Sequence, residues 1–227
     1  MHAQTSDLWA QPWHGPNLRL FLFFLIAVVF VLPSLGFERN NIPLYSNVVF
    51  SLVLVFGSMI AWENRGLFVL TLSASIAAIG ARWMTWWRPT KSLALWTVCL
   101  GMAAILMITV VLLWQVFRSG PVTLMRVEGA IAAYLCIGAG WGHAYHLAVL
   151  LDPSAFNVAG SDVSLASTWI NYSFGMLTTL GYAGIVPVHP LVRTLGSAEA
   201  VTGQLYLAVL VARLVSMQVS STRMEQR

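Results

Sequence analysis

Long apolar stretches separated by short polar segments dominate this chain. The six stretches cover residues 20–35, 44–62, 67–79 (continuing toward Trp83), 93–117, 129–151 and 198–217. A helix needs about 20 residues to cross the hydrocarbon core of a bilayer, and each stretch reaches that length with a few flanking residues. The pattern predicts an all-α polytopic membrane protein with six transmembrane helices.

A shorter segment lies between the fifth and sixth stretches. Residues 165–178 are too few and too polar to cross a bilayer, and residues 167–177 read as a short amphipathic helix. We expect this helix to enter the membrane and return to the same side as a re-entrant element. No second copy of the segment occurs in the chain.

Composition supports the membrane assignment. The chain is 58% hydrophobic and 9% charged, with a mean hydropathy of +0.76, whereas soluble domains are about 45–50% apolar and about 25% charged. The net charge of +4 is spread over the connecting segments and includes one lysine. This distribution suits contact with anionic membrane lipids and excludes a nucleic-acid-binding patch. Cys99 and Cys136 lie within apolar stretches and are predicted to be buried thiols.

The segment after the amphipathic helix carries the chemistry. Residues 178–187 read Thr-Thr-Leu-Gly-Tyr-Ala-Gly-Ile-Val-Pro and precede the last apolar stretch. This segment resembles the selectivity filter of potassium channels. Together with the apolar helix that follows, it makes residues 127–217 similar to the pore of bacterial six-helix channels of the two-helix-pore family.

The resemblance implies a homotetramer that passes monovalent cations, with no enzymatic activity and no cofactor beyond the permeant potassium ions. It implies a cytoplasmic N-terminal segment (1–17), a four-helix domain that does not sense voltage (18–118), a pore domain (127–217) and a cytoplasmic tail (218–227). The filter residues would be Thr179, Leu180, Gly181, Tyr182 and Ala183, with potassium at the first four. Thr178, Gly184 and His189 would support the filter or line its outer mouth, and Gly203 would be the gating hinge.

The physical reason for this residue pattern is ion dehydration. Backbone carbonyls replace the water of a potassium ion when they all point toward the ion path. Such a backbone alternates between dihedrals that are ordinary for L-residues and dihedrals that favour glycine. Gly181 and position 183 are the positions expected to need glycine.

Two filter positions depart from the family pattern. Ala183 stands where the family has its second filter glycine, and Gly184 stands where it has an aspartate. A left-handed residue with a Cβ costs about 1–2 kcal/mol, or roughly 4–8 kcal/mol over four subunits. Two alternatives therefore remain beside a potassium-selective pore: a non-selective channel and a non-conducting one.

The first four apolar stretches lack the charges of a voltage sensor. The fourth contains no Lys or Arg, and the third contains none before Arg82. The pore resemblance implies a bacterial inner-membrane protein with both termini cytoplasmic. Arg82, Arg88 and Lys91 would then face outward, against the positive-inside rule.

A haem-binding membrane subunit is the alternative from a different class of protein. His143 and His146 are three residues apart, so they share a helix face and are its candidate ligands. A packing role for these histidines is the simpler interpretation. Arg213, near the end of the last stretch, is expected to reach the lipid head groups or to pair across a subunit interface.

Overall fold

The computed structural model describes residues 15–31, 42–62, 64–118, 123–158, 166–181 and 184–225. Over these residues the chain is mostly helical, with two short strands. The elements are α1 (Gly15–Ile26, followed by a π-helical turn over Ala27–Val31), α2 (Ile42–Met59), α3 (Arg65–Trp87), α4 (Lys91–Phe117), α5 (Leu124–Leu151), β1 (Phe156–Val158), α6 (Ala166–Leu177), β2 (Ile185–Pro187) and α7 (Pro190–Glu225). Tyr182 and Ala183 lie outside the described residues, as do residues 1–14, 226 and 227.

Three of the described helices are long and apolar enough to cross a membrane, judged by length and composition. They are Arg65–Trp87, Lys91–Phe117 and Pro190–Ser216. The apolar parts of α1 and α2, Asn17–Val31 and Leu44–Met59, are shorter. Helix α5 has 28 residues but includes Arg126, Glu128 and two histidines in its sequence. The chain therefore has the apolar helices of a membrane protein.

Polar residues in the connections set the starts of the long helices. The Asn64 side chain accepts hydrogen bonds from the backbone amides of Gly66 and Leu67 at the start of α3. Thr90 caps α4 and Thr123 caps α5 in the same manner. Each cap satisfies amide groups that a helix end otherwise leaves without partners.

Helix α5 lies at the centre of the fold and packs against α1, α4, α6 and α7. One buried cluster joins the first four helices to α5 and α7, from Phe21 and Leu54 through Ile108 to Ala132 and Tyr206. This cluster contains residues from both of the predicted segments, 18–118 and 127–217. Both cysteines are free thiols, and Cys136 is buried.

The two strands are an addition to the predicted all-α fold. Strand β1 pairs antiparallel with β2, with Phe156 opposite Pro187 and Val158 opposite Ile185. Because β1 follows α5 and β2 precedes α7, this pairing joins the C-terminal end of α5 to the N-terminal end of α7. The chain thus leaves for α6 and returns from it at the same end of these helices.

Arg82, whose predicted outward position conflicts with the positive-inside rule, makes specific contacts inside the helix bundle. Its Nε donates to Oδ1 of Asn47 at 2.7 Å. Its guanidinium carbon lies 4.6 Å from the centre of the Phe50 ring, at cation–π distance. These contacts give Arg82 a packing function between α2 and α3 that is independent of its side of the membrane.

Candidate functional site

Helix α6 is 12 residues long and packs closely against α5 through two glycines. A Cβ on Gly138 would lie 2.7 Å from Cζ of Phe174, and a Cβ on Gly142 would lie 3.0 Å from Cα of Ile170. These glycines are four residues apart, the small-residue spacing that allows helices to approach in membranes. This four-residue spacing is the signal in the sequence from which the close contact between α5 and α6 could be predicted.

An aromatic cluster fixes the N-terminal part of α6. The ring centres of Phe156 and Trp169 are 4.7 Å apart, and those of Tyr145 and Tyr172 are 4.9 Å apart in an edge-to-face arrangement. All four side chains are buried. Pairs of this geometry add about 0.5–1.5 kcal/mol each beyond their burial, so α6 is held firmly between β1 and α5.

Residues 178–181 turn away from the end of α6 and are all exposed. The amide of Thr179 donates to the carbonyl of Met176 at 2.9 Å, and the amide of Gly181 donates to the carbonyl of Gly175 at 3.0 Å. In a trans peptide the amide N–H and the preceding carbonyl point in opposite directions, and no peptide in the described residues is cis. The carbonyls of Thr178 and Leu180 therefore point away from α6, toward the exposed side.

The backbone of this segment alternates in handedness. Thr179 has φ 60° and Gly181 has φ 68°, while Leu180 between them has a negative φ. Gly181 thus occupies the left-handed region expected for it, where glycine has no steric penalty. Thr179 pays about 1–2 kcal/mol for the same conformation, a cost that the sequence did not suggest. Its hydroxyl donates to the Thr178 carbonyl at 2.6 Å.

Gly203, the proposed hinge, lies on α7 where this helix crosses the end of α6. A Cβ on Gly203 would lie only 2.2 Å from the carbonyl oxygen of Leu177, the last residue of α6. Helix α7 continues through Gly203 without interruption. The geometry of Gly203 is therefore that of a close helix crossing directly beneath residues 178–181.

The predicted outer-mouth residues Gly184 and His189 lie on either side of β2. Gly184 is exposed just before β2, and exposed His189 accepts a hydrogen bond at Nδ1 from the amide of Leu191 at 3.2 Å. Nearby, Asp152 ends α5, and hydrogen bonds from the hydroxyl and amide of Ser154 hold the pKa of its carboxyl below the ordinary value. His189 thus lies immediately before α7, beside the strand pair.

Three buried residues that join α5, α6 and α7 were not predicted from the sequence. Tyr145 of α5 donates to Glu199 of α7, and Ser173 of α6 contacts the same carboxyl group. All three side chains are completely buried. The available signal was the acid itself, since an ionisable residue inside an apolar helix is usually functional and has a specific partner.

The candidate haem ligands are placed differently from each other. His143 is buried, its Nδ1 is 2.8 Å from the carbonyl of Ala139, and its ring stacks on Phe50. Its Nε2 lies 3.1 Å from where a Cβ on Gly101 would be, so an axial metal bond there requires α4 to move away. His146 is half-buried. This packing favours the structural interpretation of His143.

Arg213 makes a contact within the chain that was not predicted. Its Nη2 donates to the carbonyl of Phe117 at the C-terminal end of α4, at 3.2 Å. A cation at this position complements the free carbonyls at a helix end.

No family model, curated protein or solved structure matches this chain.

Proposed function

We propose that this chain is one subunit of a homotetrameric, potassium-channel-like pore that passes monovalent cations and does not sense voltage. The observation that carries the proposal is the segment after α6, where φ alternates in sign from Thr179 to Gly181. The outward direction of the Leu180 carbonyl supports it as well, because an ion pathway needs carbonyl oxygens on its open side. In this proposal α6 and the filter form a re-entrant segment, and six helices of each subunit cross the membrane.

The position of α6 suits the same function. This half-length helix directs its C-terminal end, with its partial negative charge, at the start of residues 178–181. A cation held beside these residues would be favoured by this partial negative charge. We place potassium at Thr179, Leu180, Gly181 and Tyr182, and the last of these rests on the sequence resemblance.

The burial pattern of α7 supports an oligomer. Over its described part, Pro190–Ser216, the buried residues form one narrow stripe at alternating spacings of four and three: Val192, Gly196, Glu199, Gly203 and Tyr206. Most of the other residues in this part are exposed, and many of those are apolar, including Leu205, Val209 and Val211. Lipid and neighbouring copies of α7 would cover these faces. One filter segment cannot surround an ion, so four copies around an axis are proposed.

The four helices before the pore act as a scaffold in this proposal. Helix α4 has Lys91 at its start and no other Lys or Arg through Phe117, so it lacks the charges that the membrane field would move. Arg82 of α3 is tied to Asn47 and Phe50. We expect conductance that changes little with voltage.

Ion flux into liposomes tests the proposal. The full chain and the Ala183→Gly variant are reconstituted, and potassium and sodium uptake are measured separately, with empty liposomes as the control. We expect potassium flux well above sodium flux in at least the glycine variant, because glycine adopts the left-handed conformation without strain. Absence of any cation flux from both proteins would refute the pore.

The native protein alone decides between the two channel types. Equal potassium and sodium flux through it would support the non-selective alternative, in which Ala183 and Gly184 alter the outer filter. The mass of the assembly in nanodiscs provides an independent check. Four copies of the 24.9 kDa chain are expected, and a monomer would contradict the proposed architecture.

A further inference from the structure

Glu199 is an acid inside a largely apolar helix and has no exposed surface. Its Oε2 accepts a hydrogen bond from the Tyr145 hydroxyl at 2.6 Å. Its Oε1 makes a hydrogen bond with Oγ of Ser173. The same Ser173 oxygen lies 2.7 Å from the carbonyl oxygen of Gly138. Glu199 thus connects α7 with α5 and α6 at one point.

The number of protons in this network depends on the state of the carboxyl group. A serine hydroxyl has one hydrogen to donate, and the Gly138 carbonyl can only accept. If Glu199 were ionised, its Oε1 and the Gly138 carbonyl would compete for the single Ser173 hydrogen, and one buried contact would join two acceptors. If Oε1 carries a proton, it donates to Ser173, and Ser173 donates to Gly138. Every contact then has one donor and one acceptor.

In the part of the chain that the structure describes, no cation forms an ion pair with the Glu199 carboxyl group. The ion pair that the described residues do form joins Arg19 and Glu128, and Glu199 takes no part in it. The tyrosines near the carboxyl group are Tyr134 and Tyr145 of α5 and Tyr172 of α6. A buried carboxylate without a cation is costly, so burial and hydrogen bonding favour the same protonation state.

We propose that Glu199 carries a proton at neutral pH and is the positioning residue that holds α6, and with it the filter, against α5 and α7. The inference rests on the proposed function for its role in conduction, and on the hydrogen-bond geometry for its protonation. Ser173 is one helical turn before Leu177, and Glu199 is one turn before Gly203. The hydrogen bonds of Glu199 and the close crossing at Gly203 therefore act on the same end of α6.

Infrared spectroscopy of the full chain tests the protonation. The difference between native protein and Glu199→Gln should contain the C=O stretch of a protonated carboxyl group, present only in the native protein. Tyr145→Phe should shift this band to higher frequency, since the Glu199 carbonyl oxygen loses its donor while the aromatic ring remains. A difference spectrum with a carboxylate band in place of the protonated band would overturn the inference.

The Gln and Ala variants test the positioning role. A glutamine amide can donate to Ser173 and accept from Tyr145, so Glu199→Gln should keep native thermal stability and at least half of the native cation flux. Glu199→Ala should lose at least 90% of the flux. If Glu199→Ala does not fold, Ser173→Ala takes its place, and an intermediate loss of flux is expected for it. Equal loss of flux in Glu199→Gln and Glu199→Ala would refute the proposal that uncharged Glu199 positions α6. If native protein conducts no ions, the infrared and stability results still judge Glu199 separately.

Discussion

Replacing Gly203 by alanine is expected to destabilise the protein and to eliminate cation flux. The added Cβ would lie 2.2 Å from the carbonyl oxygen and 3.1 Å from the carbonyl carbon of Leu177. These are backbone atoms of the final residue of α6, so no side-chain rotation relieves the contact. Either α7 or the end of α6 must move, and residues 178–181 start at that end.

The expected loss of stability is about 1–3 kcal/mol per subunit, the usual cost of overpacking a buried site. Thermal unfolding of the purified full chain measures it, and liposome flux measures the effect on conduction. Gly80→Ala is the matched control, because a Cβ on Gly80 of α3 has no atom within 4 Å. This control should keep native flux and gain up to about 1 kcal/mol of helix stability.

The same pair of variants separates two functions of Gly203. A flexible hinge predicts that alanine stiffens α7, changes gating and leaves stability equal to that of Gly80→Ala. A close helix crossing predicts that stability falls only in Gly203→Ala. Equal unfolding temperatures for the two variants would therefore contradict the contact with Leu177.

Several helices were predictable because they end where polar residues interrupt an apolar stretch. The predicted amphipathic segment 167–177 corresponds to the helix Ala166–Leu177, and the predicted stretch 93–117 corresponds to the helix Lys91–Phe117. The last helix starts eight residues before the predicted 198, at Pro190. Its first turns contain the polar residues Arg193, Thr194 and Ser197. A helix can extend past its apolar part with such residues, but a prediction based on apolar stretches does not include them.

Features that depend on contacts between distant residues were not predictable in this way. Strand β1 has three residues and acquires its conformation by pairing with β2, about thirty residues later. The partners of Glu199 lie 26 and 54 residues away on other helices. A sequence read alone identifies an acid in an apolar helix, but which hydroxyl groups satisfy it depends on how α5, α6 and α7 pack.

Residues 178–181, the proposed filter, combine both situations. The need for glycine at position 181 follows from the alternating backbone of an ion-coordinating segment, and φ at Gly181 is 68°. The left-handed conformation of Thr179 was not anticipated, because the motif gives no reason to expect strain there. The hydrogen bond that its amide donates to the Met176 carbonyl follows the end of α6 at Leu177.

Gly181→Ala is expected to eliminate potassium-selective flux while the subunit still folds. In the described chain a Cβ on Gly181 meets no atom within 4 Å, so its φ of 68° is the sole source of strain. The cost is about 1–2 kcal/mol per subunit, and roughly 4–8 kcal/mol when four filters adopt the conformation together. Flux measured with potassium and with sodium, and thermal unfolding of the same sample, check both parts.

Gly80→Ala again serves as the control, since its site is equally open but lies within helix α3. The two substitutions add the same methyl group to open space and differ only in the backbone conformation that receives it. Loss of selective flux in Gly181→Ala alone would tie conduction to the left-handed residue at 181. Native selective flux in both variants would mean that ions do not pass along this backbone, and the carbonyls of Thr178 and Leu180 would then have no part in coordination.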